Sequence, residues 1–349
     1  MKIAICGDQF MRAQMFETAL RERVPDPLEV RSMELPWPDE PMEHGYRAGG
    51  TTDPELADLR EYQGDPQTIA SFIGDARIFI DHLAPVTASM LERLPALEMI
   101  AVSRGGPVNI DMGAARTRGI KVVNAPGRNA SAVAEFTIGA ILAETRLIRA
   151  GHEALRKGVW RGDLYRADRT GEELSAMTVG IIGYGHIGTR VVTLLKPFGC
   201  RILVDDPYVP LRDEDRADGV EACDLETLLV ESDVVSLHAR VTPETTGFLS
   251  ASQFRAMKRG AYFINTARGP MVDYGALYDA LAGGHLRGAM LETFGEEPVP
   301  PGTPLLEVDT VTLTPHIAGA SLTTVRVAAE AIAREVGRHV KGEPPINPC

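Results

Sequence analysis

The sequence predicts an α/β protein built on two doubly wound parallel sheets, and three observations predict it. Apolar strand-like runs alternate with helix-like stretches, the chain is 349 residues long, and a glycine-rich turn opens a second series of runs past its midpoint. A chain of this length exceeds what one hydrophobic core usually serves, so two domains are expected. The first series is KIAIC (2–6), ARIFID (76–81), LEMIAVS (97–103) and KVVNA (121–125). Residues 34–65, rich in proline, glycine and acid, read as an irregular excursion within it. The second series is TVGIIG (178–183), RILVDD (201–206), VVSLHA (234–239), AYFINTA (261–267), LRGAMLE (286–292) and TVTLTPHIAG (310–319). These runs are nearly continuous in apolar character, as expected of strands covered by helices on both faces. No repeat-type period runs through the chain.

Composition narrows the function classes. Hydrophobic residues at 44% and charged residues at 24% describe a globular protein. No apolar run reaches the length of a membrane span, and the N-terminal MKIAICGDQFM lacks a signal-peptide layout, so the cytoplasm is the expected location. Cys6, Cys200, Cys223 and Cys349 are scattered without metal-ligand spacing, so reduced thiols and no metal site are expected. A net charge of −12 argues against nucleic acid or an anionic membrane as partner. A small anionic substrate stays compatible with it, because a local pocket can oppose the global charge.

Gly183, Gly185 and Gly188 follow the apolar strand VGII and precede helix-like residues 189–198, the strand, turn and helix order of a dinucleotide fingerprint. Glycine lets the backbone approach a pyrophosphate, and the helix N-terminus favours its charge. An acidic residue is expected after the next strand to hold the adenosine ribose hydroxyls, and Asp206 stands there, 18 residues past Gly188. Its carboxylate would repel a ribose 2′-phosphate. NAD is therefore expected over NADP.

Three later segments carry the chemistry: INTARGPMVD (264–273), LETFGEEPVPP (291–301) and LTPHIAGAS (313–321). They resemble the signature segments of the D-isomer-specific 2-hydroxyacid dehydrogenases, a group that includes phosphoglycerate, glycerate, D-lactate and phosphite dehydrogenases. MIAVSRGGPVNID, VVNAPGRNASAVAEF, LRKGVW and VVSLHARVTPETTGFL extend the resemblance over roughly residues 76–325. It implies a Rossmann NAD-binding domain, residues 125–319, inserted into a flavodoxin-like substrate-binding domain made of 1–124 and 320–349. That insertion explains why the fingerprint begins so late. LTTVRVAAEAIAREVGRHV (322–340) would return as a helix to the first domain, and its repeat of Val325, Ala328, Ala329, Ile332, Val336 and Val340 suits packing on one side. The substrate would lie in the cleft between the domains.

Hydride transfer at a secondary alcohol carbon requires an anion holder and a proton shuttle. Arg268, closing an apolar strand, can set a planar two-pronged donor against a carboxylate and polarise the neighbouring carbonyl oxygen. His316 would take the hydroxyl proton during oxidation and return it during reduction. Glu297 would pair with the other imidazole nitrogen, fixing the tautomer and favouring the charged ring. Singly, each has a plainer role open to it: a surface ion pair, a solvated acid, a hydrogen-bonded core histidine. All three match the family's Arg, Glu and His.

The remaining site expectations follow the same resemblance. The cofactor would meet Gly183, Gly185, His186, Ile187, Gly188, Asp206, His238, Arg240, Thr266, Ala267, Glu292 and Gly319. Glu292 stands where the family usually has aspartate near the nicotinamide amide. In SRGGPVNID, backbone amides of a glycine turn would make an anion nest for the substrate carboxylate, with Arg104, Gly105 and Gly106 as its residues and His82 beside them. This loop is about two residues shorter than the family's commoner form, and Asp81 and His82 stand where a phosphoglycerate enzyme would be more basic. The acid itself stays open, a sugar acid or phosphoglycerate-like acid among the candidates. Residues 136–166, with Trp160, carry more apolar surface than one small domain covers, so a homodimer through the NAD-binding domain is expected. With 33 residues following His316 here, the regulatory tail of some phosphoglycerate dehydrogenases is not expected. Formate dehydrogenase chemistry would want glutamine at 297. A non-catalytic NAD(H)-binding sensor or scaffold on the same fold is the alternative to an enzyme.

Overall fold

Twelve strands in two parallel sheets organise the computed structural model, which describes residues 1–24, 27–36 and 54–349. The first sheet holds β1 (Lys2–Gly7), β2 (Glu29–Glu34), β3 (Ile78–Asp81), β4 (Met99–Val102) and β5 (Lys121–Asn124) in the order β2-β1-β3-β4-β5. The second holds β6 (Thr178–Ile182), β7 (Arg201–Asp205), β8 (Glu221–Ala222), β9 (Val234–Leu237), β10 (Tyr262–Asn265), β11 (Gly288–Leu291) and β12 (Val311–Leu313). Its order is β12-β11-β10-β9-β6-β7-β8, all neighbours parallel. Both are the doubly wound sheets that the alternating apolar runs predict. The order reverses between β1 and β3 in one sheet and between β6 and β9 in the other, and such reversals open crevices at the C-terminal strand ends. The chain divides into two units, Met1–Asn129 with Ala320–Cys349, and Ala130–Gly319.

Core packing in each unit follows the sequence pattern. The helix Leu322–Val340 belongs to the first unit, where Val325, Ala328, Ala329, Ile332 and Val336 are buried with Phe16 and Leu20 of the helix Ala13–Arg23 and Ile3, Ile5 and Ile80 of the sheet. In the second unit, Val191, Val192 and Leu195 of the helix Gly188–Leu195 pack on Val179, Ile181 and Val204. This helix is shorter than the 189–198 stretch expected: Pro197 cannot continue it, and Lys196–Phe198 closes as a 3-10 turn. Strands β2 and β8 have no counterpart among the expected runs. β2 (EVRSME) is an edge strand with four of six residues exposed, so it needs no apolar run. Part of the expected excursion, residues 37–53, lies outside the described residues.

Two surface features bear on association and membranes. The helix Ile148–Arg156 buries none of its residues, and Ile148, Leu155, Trp160 and Tyr165 are exposed, Trp160 by 83%. Among the described residues, no helix is long and apolar enough to cross a membrane.

Candidate active site and dinucleotide loop

Most candidates in the second unit sit just past the C-terminal end of a parallel strand, and Glu297 lies in the connection between β11 and β12. The glycine loop follows β6, Asp206 follows β7, His238 follows β9, Thr266, Ala267 and Arg268 follow β10, Glu292 follows β11, and His316 and Gly319 follow β12. Parallel pairing therefore brings six separated segments to one edge of the sheet. The loop geometry requires glycine. Gly183 adopts φ 95°, a region costly for other residues. A Cβ there would lie 2.6 Å from Ala239 N. At Gly188 a Cβ would stand 2.1 Å from Gly183 O, whereas at Gly185 it would meet nothing within 4 Å. The loop is thus tightly packed behind and open in front of Gly185, the shape a pyrophosphate needs for close backbone approach. The residues present fit a dinucleotide.

Surrounding contacts hold this loop. Asp206 accepts the Tyr184 N–H at 2.6 Å and those of Tyr208 and Val209 at 2.9 Å, tying the β7 turn to the glycine loop. The Tyr184 ring is fully buried, and its hydroxyl donates to Asp215, which also pairs with Arg212 at 2.7 Å. This anchor escaped sequence reading, because 184 is a variable position of the fingerprint. His238 is buried and bonded to Ser236 Oγ at 2.9 Å, and burial pushes its imidazole down to about 3. A ring held neutral at ordinary pH lines the site as a polar, uncharged group. Thr266 Oγ1 bonds Thr137 Oγ1 at 3.0 Å. His186 and Arg240 are exposed and Ile187 is half-buried.

Glu297 and His316 meet. His316 Nδ1 lies 2.8 Å from Glu297 Oε2, while Glu297 Oε1 accepts the Phe294 N–H at 2.8 Å. A carboxylate can only accept, so Nδ1 carries the proton and Nε2 is the nitrogen left to exchange one with a ligand. The Glu297 side chain is 5% exposed and that of His316 17%, so the pair is shielded from screening but reachable. His316 is held at φ 54°, with its N–H donating to Glu292 O at 3.1 Å and Thr314 O at 3.0 Å. A non-glycine residue in the left-handed region is uncommon and clusters at functional sites. Arg268 is half-buried in extended backbone. A Cβ on the next residue, Gly269, would fall 1.6 Å from Phe294 O, so glycine alone lets the Arg268 turn lie against the segment bearing Glu297. Glu292 is 1% exposed, accepts from Thr314 Oγ1 and the Ala318 N–H, and burial foremost raises its carboxyl. Thr314 and Ala318 are partners that sequence reading did not assign.

The substrate-side candidates lie in the first unit. Gly105 is exposed and accepts from Asn124 Nδ2 at 2.9 Å, and neither it nor Gly106 has an atom within 4 Å of a would-be Cβ, so this turn is open. Arg104, expected among the residues of the substrate nest, ion-pairs with Glu61 and donates to the Glu61 carbonyl at 3.0 Å. Asp81 is fully buried beneath the turn, accepting from Ala84 N at 2.7 Å and Asn109 Nδ2 at 2.5 Å, and burial pushes its carboxyl up to about 8. His82 is buried against Asp8, with Arg128 on its other ring nitrogen.

Comparison with known proteins agrees with this geometry. Residues 138–318 match the model of the family described as D-isomer specific 2-hydroxyacid dehydrogenase, NAD binding domain. A glyoxylate reductase of Thermofilum pendens is 40% identical over 260 residues, covering 74% of this chain and 77% of that protein. A D-3-phosphoglycerate dehydrogenase of Archaeoglobus fulgidus is 37% identical over 264 residues, 75% of this chain but 49% of that protein. The crystal structure of the TT0316 protein from Thermus thermophilus superposes with a TM-score of 0.77 at 31% identity, covering 100% of this chain and 99% of that one.

Proposed function

The chain belongs to the D-isomer specific 2-hydroxyacid dehydrogenases, NAD-dependent oxidoreductases, and from that premise we propose that it interconverts a D-2-hydroxy acid and its 2-keto acid with Arg268, Glu297 and His316 as the reacting set. The observation that carries this reading is the Glu297–His316 pair, 2.8 Å apart at the strand edge that bears the glycine loop. Bound NAD supplies the hydride acceptor in oxidation and, reduced, the donor. His316 Nε2 takes the hydroxyl proton as the alcohol is oxidised and returns it to the carbonyl oxygen in reduction. Glu297 acts through His316, holding Nδ1–H and stabilising positive charge on the ring. Arg268 donates to the substrate carboxylate and polarises the carbonyl oxygen. A sensor without turnover would need none of this alignment. Asp206 favours NAD over NADP, since a 2′-phosphate would meet its carboxylate. The exposed apolar segment around Ile148 and Trp160 supports a homodimer through the second unit, which sedimentation of the full chain checks. The composition and the four free cysteines support a cytoplasmic setting.

The test is turnover of a panel of 2-keto and sugar acids followed at the NADH absorbance, with NADPH in parallel. At least one acid should be reduced, with NADH preferred by about tenfold or more. Tight NADH binding with no turnover of any acid would make the protein a sensor.

A further inference from the structure

His316 sits at the tip of a short loop, and one carboxylate ties down both feet of that loop. β12 ends at Leu313, Pro315 and Ile317 are exposed, and Thr314 and Ala318 stand at the two feet. Thr314 Oγ1 donates to Glu292 Oε2, and the Ala318 N–H donates to Glu292 Oε1. The backbone adds two bonds between the same segments, from the Thr314 N–H to Leu291 O and from the His316 N–H to Glu292 O, each at 3.1 Å. Glu292 is itself fixed just past β11, its N–H donating to Asn265 O at the end of β10 at 3.0 Å.

The loop needs this support. His316 holds φ 54°, a left-handed backbone that persists in a residue other than glycine only where its surroundings over-determine it. Glu297 holds the ring through Nδ1, but a bond to the ring does not fix where the backbone carries it. That placement falls to the feet of the loop. Glu292 is 1% exposed, and each of its carboxyl oxygens faces a donor of the loop. Its acceptors are thus directed into the protein, not toward a ligand.

We propose that Glu292 is a positioning residue for His316, its carboxyl stapling both feet of the loop, and that this loop requires a side chain of glutamate length at 292. For its effect on turnover the inference rests on the 2-hydroxyacid dehydrogenase reading. It replaces the expected contact between Glu292 and the nicotinamide amide, and it lies wholly within the second unit. Aspartate, the family's usual residue here, is one methylene shorter and reaches one foot or the other. Glutamine fits the same space: its carbonyl accepts the Ala318 N–H, and its amide donates to Thr314 Oγ1, whose hydroxyl can accept. Burial foremost raises the Glu292 carboxyl, so removing the charge leaves the staple in place.

The test compares Glu292→Gln and Glu292→Asp with the wild type in the full chain, each melted as a check on folding. NADH affinity, read by fluorescence, should stay within about twofold of the wild type in both. Turnover is measured on the acid panel, with pyruvate, hydroxypyruvate and 2-oxoglutarate among its members. It should stay near the wild type for glutamine and fall about 10- to 100-fold for aspartate, in kcat more than in KM, as a reacting group displaced by about 1 Å costs. In a His316→Ala background, Glu292→Asp should cost no more than about twofold, because the ring it acts through is gone. Proton NMR gives a readout that needs no substrate. The Nδ1–H resonance held by Glu297, assigned by its loss in His316→Ala, should keep its position in the glutamine variant and shift or vanish in the aspartate variant. Should Glu292→Asp fail to fold, Thr314→Val frees one foot with Glu292 in place and should lower kcat and move the resonance in the same direction. Wild-type turnover with an unmoved resonance in Glu292→Asp, or a loss in the glutamine variant as large as in the aspartate one, overturns the proposal. NADH binding weakened in both variants would restore the nicotinamide contact and overturn it too. If the wild type turns over no acid, the dehydrogenase reading fails, and the resonance still decides the staple.

Discussion

Alanine at Gly185 separates holding the fold from holding the cofactor. Its Cβ would meet nothing within 4 Å and the position has no left-handed backbone. Stability should therefore stay level or rise by about 0.4–1 kcal/mol, because alanine narrows the unfolded ensemble. That corresponds to a melting shift of roughly 2–4 °C at most. The added methyl would stand on the open face of the loop, where the pyrophosphate must approach the backbone. Overpacking of this kind costs about 1–3 kcal/mol, which weakens NADH binding by roughly 5- to 150-fold. Gly188→Ala is the contrasting control. There the Cβ would lie 2.1 Å from Gly183 O and 3.1 Å from its carbonyl carbon, so the backbone must move and the melting temperature should fall. Fluorescence titration of NADH together with thermal melts reads both effects. If Gly185→Ala melted like the wild type and bound NADH within twofold of it, the dinucleotide would not pass over Gly185, and the loop reading would be wrong.

Two further sets of substitutions test the site and its support. His316→Ala should lower turnover by about 10² to 10⁴ while keeping NADH affinity, as expected of a general acid-base group; retention of turnover would remove it from the reacting set. Glu297→Gln keeps an acceptor for Nδ1–H but removes the charge, so keto-acid reduction should suffer most at alkaline pH and recover toward acid pH. A loss independent of pH, with chemistry rate-limiting, would mean that Glu297 does not act through His316. Asp81, pushed up to about 8 by burial, holds a proton in the folded state that the unfolded chain releases near pH ~4. Its contribution to stability is fully present below that lower value and is lost as pH rises through about 8. Melting temperatures between pH 5 and 9 should therefore decline more steeply in the wild type than in Asp81→Asn. Parallel curves would show Asp81 ionised in the fold.

The sequence by itself determined the strands that are buried on both faces, because burial demands continuous apolar runs, and it determined the glycine loop, because positions 183 and 188 leave no room for a side chain. The helix Leu322–Val340 was legible for the same reason: its stripe of Val325, Ala328, Ile332 and Val336 is a local period. Arg268, Glu297 and His316 could be singled out as candidates because their segments resemble the family's motifs; taken singly, each had a plainer role open to it. Tertiary structure decided which groups meet. Strand β2 forms from a polar stretch because an edge strand needs a hydrogen-bonding neighbour more than a core. Arg104 turns to Glu61 across 43 positions, and Asp8, His82 and Arg128 join across the ends of β1, β3 and β5. What no local pattern records is the strand order. Parallel pairing fixes which strand ends are neighbours, and a buried charge then takes whatever partner that order brings within reach.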